Sequence, residues 1–302
     1  MWIILLIVLA GILAGYSLRM CAFLKKVNLT ISCTICLMLF VLGLSVGYNP
    51  LIIGNLGSFG GQALLLSVAG ITGSVLLARV VYLLFFKEGG EKMKGSLLVL
   101  SMFFVGCVLG YVWNFSGWEL GDTHHLSMYI LYALMFQVGV SIGGGEDFKE
   151  LLRGFRPKML LIPLATIGGT LLFSALVSVL LTRWSVFDCL AVGSGLGYYS
   201  LSSILIMELK TPDLGAQLAT ELATIALLTN VIRELVALVG APFICKYFGK
   251  LAPISVAGVT SVDVALPSII RVSGKEMVPL AIFHGLLVDM SVPFFISLFC
   301  KL

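Results

Sequence analysis

Gly193-Ser-Gly-Leu-Gly-Tyr-Tyr-Ser-Leu-Ser-Ser203 sets three glycines and six hydroxyl groups inside an apolar stretch of membrane length, where a spanning helix favours few of either. About sixty residues on, Ala257-Gly-Val-Thr-Ser-Val-Asp-Val-Ala-Leu-Pro267 interrupts a second such stretch and carries a carboxylate, Asp263. Backbone that leaves the helix at membrane depth loses its internal hydrogen bonds, and only surrounding protein or a water-filled cavity replaces them. Two interruptions in one chain predict a polar pocket inside a membrane protein. A pair of Gly/Pro-interrupted apolar segments is also the sequence pointer to a carrier's binding site.

Composition around these stretches supports the same class. The 302 residues are 59% hydrophobic and 11% charged, with a mean hydropathy of +1.09, whereas covering a soluble globule takes roughly a quarter charged residues. The predicted fold class is an all-α integral membrane protein. The net charge of +4 comes from loop lysines and arginines, a topology signal rather than a nucleic-acid patch, so nucleic acid is excluded as a partner. Seven cysteines lie in or beside apolar segments without framework spacing and read as small hydrophobes. Cys33-x-x-Cys36 has redox-pair spacing but no acid or histidine nearby; no metal or cofactor is predicted. Trp2 to about Ser17 lacks a basic leader and a clear cleavage site, and it reads as a retained helix rather than a signal peptide.

At about 20 apolar residues per crossing, eight spans fall near 2–18, 28–48, 60–86, 96–115, 126–143, 159–182, 216–240 and 278–300. This leaves 187–208 and 252–270. Each is long enough to cross and equally able to dip in and return as a re-entrant hairpin, and the mid-segment glycine turn favours hairpins. Arg19, Lys25 and Lys26, then Lys87, Lys92 and Lys94, then Lys149, Arg153, Arg156 and Lys158 fall in alternate loops. That side is cytoplasmic, and both termini lie outside. One span separates the hairpins, so they enter from opposite faces. The hairpin-plus-helix unit of about 187–240 then recurs inverted at about 252–300, an arrangement that builds one site at the midplane. On this reading 1–158 is a helical scaffold and 159–302 the transport half.

Ionisable residues within spans are costly and normally face a partner or a pathway. Here they are Arg79, Glu208, Glu221, Arg233, Glu234, Asp263, His284 and Asp289. Asp263, flanked by Thr260, Ser261 and Pro267, is the foremost substrate contact; capping of a half-helix is its structural alternative. Arg233 and Glu234 are adjacent and point about 100° apart on a helix. One fixes a hairpin while the other faces substrate, or both pair with other spans. Asn230 lies one turn before Glu234 on the same face. Tyr198, Tyr199, Ser200, Ser202 and Ser203 offer hydroxyls that bond either freed backbone or, with unpaired amides at a half-helix end, a carboxylate. Glu234, Asp263, Glu221, His284 and Asp289 are the coupling candidates. Glu221 and Glu208 read alternatively as headgroup-level acids and His284 as a helix-packing histidine. His284 and Asp289 are about 140° apart on a helix, so a relay between them needs water. Arg79 is expected to snorkel.

At Gly193–Ser202, Val231-Ile-Arg-Glu-Leu235, Gly258–Pro267 and Met277-Val-Pro-Leu-Ala-Ile-Phe-His-Gly285 the chain resembles the bacterial lysine exporter family LysO, in order from about residue 186 to the end. The first half is similar mainly in hydropathy. The resemblance implies an inner-membrane protein exporting L-lysine and toxic lysine analogues, with eight spans and both termini outside. It also implies two intramembrane acids, one of which belongs to Arg233-Glu234. For the other, expected near the end of the second span, this chain has Gly47-Tyr-Asn49-Pro. Asp263, itself in a matching motif, is the candidate replacement.

The expected function is therefore secondary transport of a cationic amino acid, lysine, out of the cell. Asp263 and Glu234 receive the two ammonium groups, and hairpin amides with Ser200, Ser202 and Thr260 hold the carboxylate. A negative cell interior opposes export of a cation by about 2.3 kcal/mol per charge at 100 mV, which calls for coupling. Antiport with H⁺ is the simplest scheme and Na⁺ the open alternative; lipid and a second copy of the chain complete the expected partners. An organic-anion carrier on a related hairpin fold is the rival within transport, but Arg233 is the only basic residue expected in the interior. An intramembrane enzyme is the rival of another class. No GxGD or HExxH pattern is present, and no catalytic residue is assigned.

Overall fold

The computed structural model describes residues 2–17, 27–48, 50–86, 97–115, 123–144 and 157–302. Every regular element among them is helical, since in lipid a helix satisfies its own backbone without a neighbour. Gly57–Phe85, Pro157–Leu180, Tyr199–Val239 and Lys275–Cys300 are long and apolar enough to cross a membrane, and shorter apolar helices run through Leu29–Ser45, Phe104–Trp113, Tyr129–Ser141 and Ala252–Val262. The protein is an all-α, multi-pass membrane protein. Asn49 and the basic residues of 19–26, 87–94 and 149–156 lie outside the described residues.

The chain begins with α1 (Trp2–Ser17), α2 (Val27–Tyr48), α3 (Pro50–Phe85), α4 (Leu97–Phe115) and α5 (Thr123–Gly143). They divide between two compact units, one drawn from 1–53 and 95–155 and the other from 54–94 and 156–302. In the first unit α1 packs on α5, and α2 on α4 and α5. The pairs meet at small residues spaced four apart. A Cβ added to Gly11 or Gly15 would collide with the carbonyls of Phe136 and Val140, and one on Gly106 or Gly110 with those of Phe40 and Leu44. Lipid tails are as apolar as leucine, so helices in a bilayer associate through this kind of close backbone approach.

The second unit joins α3 from Gly54 onward to α6 (Leu161–Val177), α7 (Val186–Gly193), α8 (Tyr199–Val239), α9 (Ala241–Phe248), α10 (Ala252–Ala257), α11 (Leu266–Ser273) and α12 (Val278–Cys300). This grouping differs from a division at residue 158, because α3 is packed into the C-terminal residues. Gly73 and Gly169 face each other so closely that a Cβ on either would strike the other's carbonyl. Ser255 Oγ donates to Ser74 O at 3.1 Å, and Trp184 Nε1 to Gln62 Oε1 at 2.7 Å. The α9 segment, read from sequence as loop, is a short helix with Ala241 and Cys245 buried and Phe243 and Tyr247 exposed. α8 is broken at Gly215, whose φ of 78° and ψ of 160° are not helical, into an arm before it and a long helix after it.

An ion pair joins the two ends of each interrupted stretch. At the open end of α7 and the first arm of α8, buried Lys210 Nζ lies 2.9 Å from buried Asp188 Oδ1. Asp188 also closes a capping box with Ser185 at the start of α7. The stretch from α10 to α11 is clasped by Lys250 and Glu276, 3.0 Å apart and open to solvent. The two turns meet: Val259 N donates to Leu196 O at 3.0 Å.

Candidate functional site

Where each helix stops, backbone groups lose their partners, and the site is built from what replaces them. After α7 the chain runs through tight turns, with Gly195 N on Val192 O, Leu196 N on Gly193 O and Tyr198 N on Gly195 O. Leu196 and Gly197 have φ of 48° and 98°. The amide of Gly197 turns away from the turn and donates to Asn230 Oδ1 at 2.8 Å. After α10 the chain passes Gly258, at φ 60°, into a single 3₁₀ turn to Val262. At φ 60° and ψ −124° only glycine avoids strain, and a Cβ there would also collide with Leu196 O.

Arg233, 3% exposed, supplies the second turn. Its Nε donates to Val256 O at 2.9 Å and its Nη2 to Ser255 O at 3.1 Å, while Nη1 donates to Thr170 Oγ1 at 3.0 Å. Those carbonyls form the C-terminal end of α10, the negative pole of its dipole, and a planar guanidinium fork addresses several of them at once. The guanidinium is therefore occupied by two backbone carbonyls and a hydroxyl.

Glu234 is the next residue on α8. It is 8% exposed and makes no hydrogen bond or ion pair among the described residues. It lies within electrostatic reach of Asp263, which follows the 3₁₀ turn, is partly exposed and accepts the amide of Val264 at 2.6 Å. Asp289 of α12, also partly exposed, acts on Asp263 in turn. Tyr198 and Tyr199, at the start of the first arm of α8, lie within electrostatic reach of the same carboxylates. Among the described residues no lysine or arginine pairs with any of the three carboxylates. Uncompensated carboxylates in a low-dielectric setting favour a ligand that brings positive charge.

The other sequence candidates differ in their partners. Asn230 is engaged by the first turn, its Nδ2 donating to Ala226 O at 2.8 Å and to Ser202 Oγ at 3.2 Å. Ser202 donates to Tyr199 O, Thr260 to Ala257 O, and Ser261 to Gly258 O or Ala281 O. These hydroxyls bond freed backbone, as Ser and Thr at a break tend to. Ser200 is exposed, and its hydroxyl has no hydrogen bond among the described residues. Glu221 is drawn to Arg183 at the rim. Arg79 caps α9 through Phe248 O at 3.2 Å, over the Tyr82 ring, where snorkelling was expected.

His284 is fully buried. Its Nε2 is 2.9 Å from Thr166 Oγ1 and its Nδ1 2.9 Å from Ser261 Oγ, and Thr166 is 2.6 Å from Ser255 Oγ. The ring joins α12 to α6 and to the second turn, Thr166 carries the chain of contacts on to Ser255, and no hydrogen bond links the ring to Asp289. Thr166, Thr170, Ser255 and the Asp188–Lys210 pair were not singled out from sequence. Ser185-x-x-Asp188 carries the signal of a capping box; the buried hydroxyls carry no local signal.

The sequence profile of the family described as "Lysine exporter LysO" matches residues 100–300. The lysine exporter LysO of Escherichia coli (strain K12) is 29% identical over 313 aligned residues, covering 98% of this chain and 98% of that protein. A relative from Haemophilus influenzae, named provisionally for the same cargo, is 28% identical over 204 residues, 67% of this chain and 96% of its own length. No solved structure matches.

Proposed function

The chain belongs to the lysine exporter LysO family, and from that premise we propose that it is a secondary transporter moving L-lysine and lysine analogues out across the bacterial inner membrane. The supporting observation is the buried, unpartnered carboxyl of Glu234 beside Asp263. Lysine carries two ammonium groups and one carboxylate. Glu234 and Asp263 receive the ammonium groups, while Tyr198, Ser200 and the amides opening the first arm of α8 receive the carboxylate. Arg233 and Asn230 enter this reading through the backbone they hold.

Transport uphill against the membrane potential is coupled to inward H⁺, with Na⁺ as the competing ion. An acid of the cluster, Glu234, Asp263 or Asp289, alternately holds the proton and the ammonium group. The two interrupted stretches re-enter from opposite faces, and eight spans leave both termini outside. The unit containing α3 and α6 to α12 is the transport body, and the unit of α1, α2, α4 and α5 its scaffold. A homodimer is compatible with this arrangement.

The test is export of labelled lysine from proteoliposomes under imposed pH and sodium gradients. Glu234→Gln and Asp263→Asn are expected to abolish it at unchanged membrane abundance, and to abolish tolerance to a lysine analogue in a strain lacking its own exporters. Transport of an organic anion in place of lysine would overturn the reading.

A further inference from the structure

One turn of α8 touches both interruptions. Asn230 and Arg233 are three residues apart, neighbours on one helix face, and each serves a different turn. Asn230 Oδ1 accepts the amide of Gly197, and its Nδ2 is fixed by Ala226 O and Ser202 Oγ. Arg233 donates to Ser255 O and Val256 O, steadied by Thr170. The turns are joined to each other by Val259 N and Leu196 O. Glu234 lies on the same turn of helix. A buried guanidinium without a carboxylate partner is costly. Glu234 is the next residue on the helix, yet Arg233 directs its donors to two carbonyls and a hydroxyl, which is the geometry of an anchor.

We propose that Asn230 and Arg233 are positioning residues of the transport cycle. Each holds its own tip, so Glu234 and the two tips move as one body, and either tip parts only by leaving its own anchor. The inference rests on the lysine-transport reading above.

The experiment uses the full chain in proteoliposomes, with lysine binding measured separately on the purified protein. Arg233→Lys keeps the charge but loses the fork, and Asn230→Ala removes the other anchor. Each is expected to lower the maximal export rate about tenfold, as gating variants do, while half-saturation moves less than about threefold. The double variant is expected to be no slower than the slower single one, the non-additivity of groups acting on one state. Thr170→Val, which removes the acceptor of Nη1 alone among the donors of Arg233 and, with it, a long 3.4 Å bond to Gly70 O, is expected to slow export about twofold and decides the matter if Arg233→Lys does not fold. Unchanged rates, a shift in half-saturation at unchanged rate, or multiplicative effects would each overturn the proposal. A wild-type protein that exports no lysine would instead overturn the transport reading.

Discussion

The first interruption leaves an amide unpaired, that of Gly197, and meets a neutral acceptor in Asn230. The second leaves the carbonyls of Ser255 and Val256 and meets a cation in Arg233. The same contrast runs in reverse at their open ends, where Asp188 and Lys210 are buried but Lys250 and Glu276 are not. The polarity of the freed backbone selects the partner: an N–H requires an acceptor, and an amide oxygen suffices. Two carbonyls at a helix C-terminus require several donors, which one guanidinium presents together. The burial cost of that charge is offset in part by the helix dipole it faces. The interruption with the carboxylate, Asp263, is thus also the one held by a cation.

This contrast is open to measurement by unfolding of the purified protein. The largest effect is expected at the buried base: Asp188→Ala leaves Lys210 uncompensated and removes the capping box, lowering stability by about 3–5 kcal/mol. A loss below about 1 kcal/mol would show that Lys210 reaches solvent in the folded state. Next comes the cation at the second tip. Arg233→Met strands two carbonyls and is expected to cost about 3 kcal/mol, against about 1–2 kcal/mol for Asn230→Ala at the first tip. Equal losses would break the distinction between a charged and a neutral anchor. The smallest effect belongs to the exposed base, where Glu276→Gln should change stability by no more than about 0.5 kcal/mol. A larger loss there would make the two bases alike.

Much of this was legible along the chain. The interruptions stand out because glycine, serine and proline fall where a spanning helix excludes them, and Glu234, Asp263 and Asp289 stand out because carboxylates are rare at that depth. What each of them faces was not legible. Arg233 looked as ready for a substrate as for a backbone, and nothing along the chain marked Lys210 as the buried partner of Asp188. Ser202 and Thr260 read either as ligands for a carboxylate or as partners of freed backbone, and they, like Ser261, bond the turns that contain them. His284 read either as a coupling candidate or as a helix-packing histidine, and it is enclosed by hydroxyls. α9 escaped notice because an eight-residue helix holds too few turns for its period to show.

The chain by itself determined the membrane class, the two places where helix gives way, and the acids held between them, because each follows from local composition and spacing. The tertiary structure alone decided which charge meets backbone and which, among the described residues, meets no partner. Arg233 finds its carbonyls 22 and 23 residues away and its hydroxyl 63 away, while Glu234, one position on, finds no such partner. Helix pitch sets the direction in which a side chain leaves the axis. The neighbour waiting in that direction sets the free energy of its charge, and only the packed fold supplies that neighbour.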